Sequence, residues 1–135
     1  MENLQQTTHV FEALLINLLE SYNLARIWHL QTNSHAEHKA LESYYEAIED
    51  VFDSLAEQYQ GTMGNHYRLQ YLRSIDLVSL ESINLVTYFE NLLQDVEEVA
   101  KLIRAVELFS HLNALLDDAK STISKTAYLL SFDKP

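Results

Sequence analysis

The chain has 135 residues, which is the usual size of one domain, and 47% of them are hydrophobic, enough to build a core. It contains no cysteine, so disulfides, thiolate metal sites and cysteine nucleophiles are excluded. With 20 acidic and 9 basic residues the formal net charge is −11, which opposes binding to the phosphates of a nucleic acid.

The N-terminal sequence also bears on location. Residues 1–6 are polar and lack the basic region of a signal peptide. No apolar run approaches the roughly 20 residues that are needed to cross a bilayer. We therefore expect a cytoplasmic protein with neither a membrane nor a nucleic acid as partner.

Helix-breaking residues are scarce. The chain has two glycines and one proline, and that proline is the last residue, Pro135. So few breakers predict long helices with short connections, whereas a sheet would need turn residues at frequent intervals. The predicted fold class is all-α, with residues 1–135 forming a single four-helix bundle domain.

The first helix is predicted from about Thr8 to Gln31, with Thr7 or Thr8 as its N-cap. Its apolar face combines steps of three and four residues: Phe11, Leu15, Leu18, Tyr22, Ala25 and His29. A tight connection follows, in which Ser34 is the next N-cap and Glu37, three residues later, completes a capping box.

The second helix is predicted over residues 35–60, ending at Gly61. Its apolar face consists of Leu41, Tyr44, Tyr45, Ile48, Val51, Phe52, Leu55 and Tyr59. Residues 61–79 form the longest irregular stretch. A crossover connection between the second and third helices of a bundle fits there.

The third helix is predicted over residues 80–105, with a break near residues 108–110 and a fourth helix that ends at about Leu130. The inward positions of the third helix are Ile83, Val86, Phe89, Leu93, Val96, Ala100 and Ile103. Those of the fourth are Leu112, Leu115, Leu116, Ala119, Ile123, Ala127 and Leu130.

The second helix carries a stripe of metal-ligand side chains. At about 100° per residue, Glu42, Asp53 and Glu57 fall about 40°, 60° and 100° from His38, beside the apolar face. Glu49 lies in the same stripe. His38 with Glu42, and Asp53 with Glu57, are pairs four residues apart, so each pair can grip one ion from one side.

The axial spacing of these pairs indicates two chains. Their centres lie 15 residues apart, roughly 22 Å along the helix, so one chain cannot bring both pairs to one ion. A second copy of the helix, packed antiparallel about a two-fold axis, can do so and would create two equivalent sites. His29, near the end of the first helix, can cap the same site.

Plainer interpretations exist for each of these residues. Acidic pairs are common on solvated helix faces in so acidic a chain, and a histidine on an apolar face is equally often a hydrogen-bonded core residue, as His29 could be. Three isolated histidines are predicted to lie at the surface: His9, His66 and His111. Three tyrosines are predicted to be core residues rather than redox relays: Tyr44, Tyr45 and Tyr59.

The set of His29, His38-x-x-x-Glu42 and Asp53-x-x-x-Glu57 resembles the ferroxidase signature of Dps-type mini-ferritins. The resemblance implies a ferritin-like bundle in which His29, His38 and Glu42 come from one subunit and Asp53 and Glu57 from its mate. Residues 115–130 resemble the last helix of that family. Residues 29–41 are similar to phage-encoded Dps-like proteins, which implies a bacterial or phage source.

The activity implied by the resemblance is oxidation of Fe(II) by peroxide or O₂ at dinuclear sites, with storage of iron in a shell of twelve chains. Carboxylate and imidazole ligands also suit manganese and zinc. This chain has Glu42 where the family has Asp, and Trp28 precedes the first histidine instead of following it. The basic DNA-binding tail of the family is missing, so DNA binding is not carried over.

Two alternatives remain at the level of the sequence. A non-catalytic helical interaction protein would keep the bundle and the dimer without the metal chemistry. A dimer that holds zinc or manganese structurally, without turnover, lies between the two.

Overall fold

The computed structural model describes residues 2–64, 67–69 and 78–132. It contains four α-helices: α1 (Glu2–Gln31), α2 (His35–Met63), α3 (Leu85–Arg104) and α4 (Asn113–Ser131). Two 3₁₀ turns precede α3 and α4: Leu80–Ser82 and Glu107–Leu112. These ranges contain no strand, so the all-α prediction is confirmed. Within them, every helix is too short or too polar to traverse a lipid bilayer.

The four helices enclose one core. α1 packs against α2 and α3, and α4 packs against α2 and α3, so the helices form a closed ring. The largest fully buried side chains are aromatic and aliphatic: Trp28, Tyr44, Tyr59, Phe11, Phe89, Phe109, Leu14, Leu15, Leu18, Leu41, Ile48 and Leu55. The structure is therefore a helical bundle.

The start of α1 differs from the prediction. The helix begins at Glu2, so neither Thr7 nor Thr8 is an N-cap. Thr7 is buried, and the hydroxyl of Thr8 donates to the carbonyl of Gln5 at 2.8 Å. A threonine hydroxyl that is satisfied within the preceding turn no longer competes with the helix. The predicted end at Gln31 is confirmed.

The buried face of α1 is rotated from the predicted one. Leu14, Ser21, Leu24 and Trp28 are buried, whereas Tyr22 and His29 are half-buried. The other predicted positions are buried: Phe11, Leu15, Leu18 and Ala25. Buried positions alternate by three and four residues, as in the seam of a helical bundle. His29 therefore lies at the edge of the core.

A short connection joins α1 to α2. Ser34 is the N-cap, as predicted, and its side chain accepts a hydrogen bond from the Glu37 amide at 3.1 Å. The reciprocal bond of the capping box is relayed through Thr32. Its hydroxyl accepts from the Ser34 amide at 3.0 Å and donates to the Glu37 carboxylate at 2.6 Å. These bonds fix how α2 leaves α1.

The end of α2 lies beyond the predicted Gly61. The helix continues to Met63, and Gly64 caps it with φ 127°. Glycine adopts that backbone conformation without the strain that a side chain would bring, which suits Gly64 to end the helix. The predicted apolar face is confirmed, with Tyr45, Val51 and Phe52 half-buried and the rest buried.

α3 begins later than predicted. Its N-cap is Asn84, whose side chain accepts from the Thr87 amide at 3.0 Å, whereas the predicted start at Leu80 falls in the 3₁₀ turn. The buried positions of α3 are Leu85, Phe89, Leu92, Val96, Val99, Ala100 and Ile103. Three predicted inward residues are only half-buried: Ile83, Val86 and Leu93.

The break before α4 and the end of α4 agree with the positions predicted from the sequence. α3 ends at Arg104 and a 3₁₀ turn leads into α4, which ends one residue after the predicted Leu130. Most predicted inward residues of α4 are buried; Leu115 and Ala127 are half-buried, and Thr126 is buried although it was not predicted to be.

Two contacts tie the flanks of the long connection to α1. The Tyr67 hydroxyl donates to the carboxylate of Glu12, and the Trp28 indole donates to the carbonyl of Val78 at 2.7 Å. The predicted crossover over residues 61–79 lies largely outside the described residues.

The buried hydroxyl of Tyr44 provides a test of the packing between α1 and α2. It lies 2.7 Å from Ser21 Oγ, and because Ser21 donates to the Leu18 carbonyl, Tyr44 is the donor. We expect Tyr44→Phe to lower the free energy of unfolding in urea by about 1 kcal/mol. Tyr128→Phe, at a 62% exposed position, is the control and should change it by less than about 0.5 kcal/mol. Equal effects would contradict the hydrogen-bond assignment.

Candidate metal centre

Three of the predicted ligands meet beside the connection between α1 and α2. His29 lies in the last turn of α1, and His38 and Glu42 lie one turn apart near the start of α2. One ligand atom from each residue lies within 4.8 Å of the other two, and all three side chains are half-buried. We call these residues the triad.

A backbone contact orients His38. Its Nδ1 lies 2.7 Å from the carbonyl oxygen of His29. A carbonyl oxygen only accepts, so Nδ1 carries a proton, and in the neutral ring Nε2 is the nitrogen with a lone pair. Histidine ligands of metals are commonly held in this way, with the second ring nitrogen donating to a carbonyl or carboxylate.

His29 is held by ring contacts. Its imidazole stacks on that of His38, with ring centroids 4.4 Å apart, and meets the Tyr45 ring edge-on at 5.1 Å. Its Nδ1 is buried and has no hydrogen-bond partner in the described part of the chain. A buried polar atom without a partner is unusual in a native protein, and here it lies beside two other ligand-type side chains.

The surroundings of His29 favour its neutral form. Burial, followed by the neighbouring His38, lowers the pKa of His29 below its ordinary value of 6.5, and Arg26 acts in the same direction. The Glu42 carboxylate opposes this shift. A neutral imidazole can ligate a metal, whereas an imidazolium cannot, so these interactions favour a ligand state of His29.

Glu42 is held in its charged form. Lys39 Nζ lies 3.2 Å from Glu42 Oε1, and this hydrogen bond is the largest cause that lowers the pKa of Glu42. Both side chains reach solvent, so the ion pair adds little to stability. It keeps a carboxylate beside the two imidazoles and leaves an ammonium that a cation can displace.

The triad fits a transition metal. Two donors at about 2.1 Å from one ion are at most about 4.2 Å apart, and the triad's ligand atoms, within 4.8 Å of one another, are close to that separation. Two imidazoles and one carboxylate suit iron, manganese and zinc alike, and three ligands leave coordination positions open.

The other two predicted ligands lie elsewhere on α2. Asp53 and Glu57 are both exposed, and neither forms a hydrogen bond or ion pair with any described residue. Glu57 lines a shallow groove with Gln60, Gly61, Gly64 and Arg68. They lie about 22 Å from the pair His38 and Glu42, so one chain does not unite the five residues.

Sequence reasoning missed the residues around the triad. The Arg26 guanidinium lies 4.9 Å from the centroid of the Tyr45 ring, which in turn contacts His29. Lys39 holds Glu42. Arg26 and Lys39 each precede a triad residue, His29 and Glu42, by three residues. Residues at this spacing are neighbours on a helix surface, so the sequence could have indicated both contacts.

The remaining histidines do not join the triad. His9 and His111 are exposed, as predicted, and His111 lies 2.9 Å from the hydroxyl of Thr62. His35 is exposed as well. His66 lies outside the described residues.

The described helices and the triad define an all-helical protein with a two-histidine, one-carboxylate cluster at an interhelical connection. The chain belongs to DUF5856, a family of unknown function, which matches residues 29–130. The matched segment begins at His29 and includes all five predicted ligands. No curated protein and no solved structure matches the chain.

The titration of His29 in metal-free protein tests its surroundings. We expect its NMR midpoint to fall below 6.5 because burial lowers the pKa. Since the unfolded chain would then bind the proton first, His29 contributes stability above pH 6.5 that is lost as the pH falls through the folded pKa. Arg26→Gln should move the midpoint upward because it removes a cation, and a midpoint above 6.5 in the parent would contradict the geometry.

Co(II) absorption tests the triad directly. We expect His38→Ala to weaken Co(II) binding on the order of 100-fold or more, because it removes an oriented nitrogen ligand. His35→Ala, at an exposed position on the same helix, is the matched control and should leave binding unchanged. If His38→Ala and His35→Ala bind Co(II) with equal affinity, His38 is not a ligand of the site.

Proposed function

We propose that this chain is a Dps-like mini-ferritin that binds iron and oxidises Fe(II) with peroxide or O₂ at sites shared by two subunits. The observation that carries the proposal is the triad, whose ligand atoms lie within 4.8 Å of one another. The contact between His38 and the His29 carbonyl supports it, because it leaves Nε2 of His38 as a lone-pair donor.

The course of the chain supports a ferritin-like bundle. Tyr67 contacts α1 at Glu12, and Val78 contacts it at Trp28, positions about 24 Å apart along the helix. The two described ends of the connection between α2 and α3 therefore lie at different levels along α1. A connection of this kind is the crossover of ferritin-like folds.

Symmetry supports a dimer through α2. Positions 38 and 57, and positions 42 and 53, are each centred between residues 47 and 48. One two-fold axis at that point therefore brings both pairs together when a second copy of α2 packs antiparallel to the first. Each of the two resulting sites would receive the triad from one chain and Asp53 and Glu57 from the other.

The proposed chemistry follows from the ligands. Two Fe(II) ions are the substrates; they give two electrons to one peroxide molecule, which takes up two protons and leaves as two water molecules. The triad holds one ion, and the carboxylates of the second copy complete a dinuclear site and favour the harder Fe(III) product. Half-buried ligands leave open positions for the oxidant, and the net charge of −11 attracts cations.

Zinc or manganese without turnover is the second candidate. Two histidines and one glutamate are also a donor set for zinc, and such a site would hold the dimer together structurally. The two candidates differ in whether bound Fe(II) is oxidised. Stable dimers without stoichiometric metal would instead indicate a non-catalytic interaction protein.

Fe(II) oxidation provides the direct test. Protein loaded anaerobically with Fe(II) and then exposed to peroxide should develop ferric absorbance, and His38→Ala or Glu57→Ala should abolish it. Glu90→Ala, an exposed acidic residue on α3, is the matched control and should react like the parent. Unchanged kinetics in both ligand variants would contradict the proposal. Light scattering on the same samples measures the number of chains in the assembly. The resemblance predicts twelve.

Mixing the two inactive variants tests whether two subunits share a site. A dimer of one His38→Ala chain and one Glu57→Ala chain has one intact site and one doubly defective site. Random exchange in an equal mixture makes half of the dimers mixed, so activity should return to about one quarter of the parent value. No recovery after exchange would contradict a site that is shared by two subunits.

A further inference from the structure

The stripe of α2 that would face a second copy is strongly acidic. Relative to His38, five carboxylates fall within about 100° of the helix circumference: Glu42, Glu46, Glu49, Asp53 and Glu57. All except the half-buried Glu42 are exposed. The one lysine in this stripe, Lys39, is bound to Glu42.

The middle of the stripe is where the repulsion would be greatest. Positions 46 and 49 are also centred between residues 47 and 48, so each Glu46 would face Glu49 of the other copy. Packed helix axes lie about 8–10 Å apart, which is close to the screening length of about 8 Å at physiological salt. The hydrogen bond from Tyr22 to Glu49, at 3.2 Å, does not neutralise the carboxylate.

We propose that divalent cations drive the association of two copies through this stripe. An ion binds first to the triad of a single chain, and Asp53 and Glu57 of the second copy then complete its coordination. This inference rests on the proposed two-subunit site and adds that metal binding and assembly are one coupled equilibrium.

The second copy is the partner that the geometry favours. The triad is a cation site at one end of α2, and about 22 Å further along are two exposed carboxylates without a partner among the described residues. When a second copy of α2 packs antiparallel to the first, the triad of each chain lies next to Asp53 and Glu57 of the other chain. The bound ions supply the positive charge that the stripe itself lacks.

Linkage makes the coupling measurable. If an ion favours the dimer, the dimer must bind the ion more tightly than the monomer by the same factor. The association constant should therefore rise with metal concentration, and metal affinity should rise with protein concentration.

Sedimentation velocity of chelator-treated protein, with and without Zn(II), tests the coupling. Zn(II) is redox-inert, so the result does not depend on iron oxidation. We expect a metal-free monomer, and at saturating Zn(II) an association at least about tenfold tighter. The variant Glu46→Gln/Glu49→Gln should associate at lower Zn(II) than the parent, because it removes the central repulsion. Glu90→Gln/Glu97→Gln, a pair of exposed acids on α3, is the matched control.

A second pair of variants separates binding from assembly. Asp53→Asn/Glu57→Gln should still bind one Co(II) per chain at the triad but remain monomeric at saturating metal. His38→Ala should lose both binding and assembly. If the Asp53/Glu57 variant dimerises with metal like the parent, the second copy does not supply those ligands and the inference fails.

The other outcomes are equally decisive. A parent chain that associates equally tightly with chelator and with Zn(II) would overturn the coupling, and iron oxidation in the same sample would leave the proposed function standing. An unchanged Zn(II) requirement in the Glu46/Glu49 variant would overturn the role of repulsion. Dimers that form with Zn(II) but do not oxidise Fe(II) would support the coupling of metal binding to assembly and contradict the proposed ferroxidase activity.

Discussion

The site depends on the short connection between α1 and α2. Ser34 caps α2 while Thr32 bridges the cap to Glu37, so the direction in which α2 leaves α1 is fixed by hydrogen bonds within a few residues. That direction places the His38 ring against the backbone carbonyl of His29. A local capping arrangement thereby leads to the tertiary contact that orients a candidate ligand.

The triad balances burial against charge. Its position at the edge of the core buries enough of His29 to lower the pKa of the imidazole, while Lys39 lowers the pKa of Glu42 at the rim. A neutral nitrogen donor next to an ionised oxygen donor is the protonation state that a metal requires. Further inside the bundle the carboxylate would lose its hydration, and further outside the rings would lose their contacts.

The sequence predicted what local interactions determine. The Ser34 cap, the start of α2 at His35 and the apolar face of α2 follow from the residues themselves, and the structure confirms them. The predicted start of α1 was wrong, because a threonine hydroxyl can form its hydrogen bond inside a helix as well as at an N-cap. The contact of His38 with the His29 carbonyl depends on how two helices pack, which no spacing within one helix reveals. The connection before residue 78 lies largely outside the described residues.

The position of Trp28 has an optical consequence. It is the only tryptophan of the chain, it is fully buried, and it precedes His29 in the same helical turn. The indole also donates to the carbonyl of Val78, so it links the end of α1 to the segment that leads into α3. The intrinsic fluorescence of the protein therefore originates from a single chromophore at this end of the bundle, where its emission would report local changes in packing without an added label.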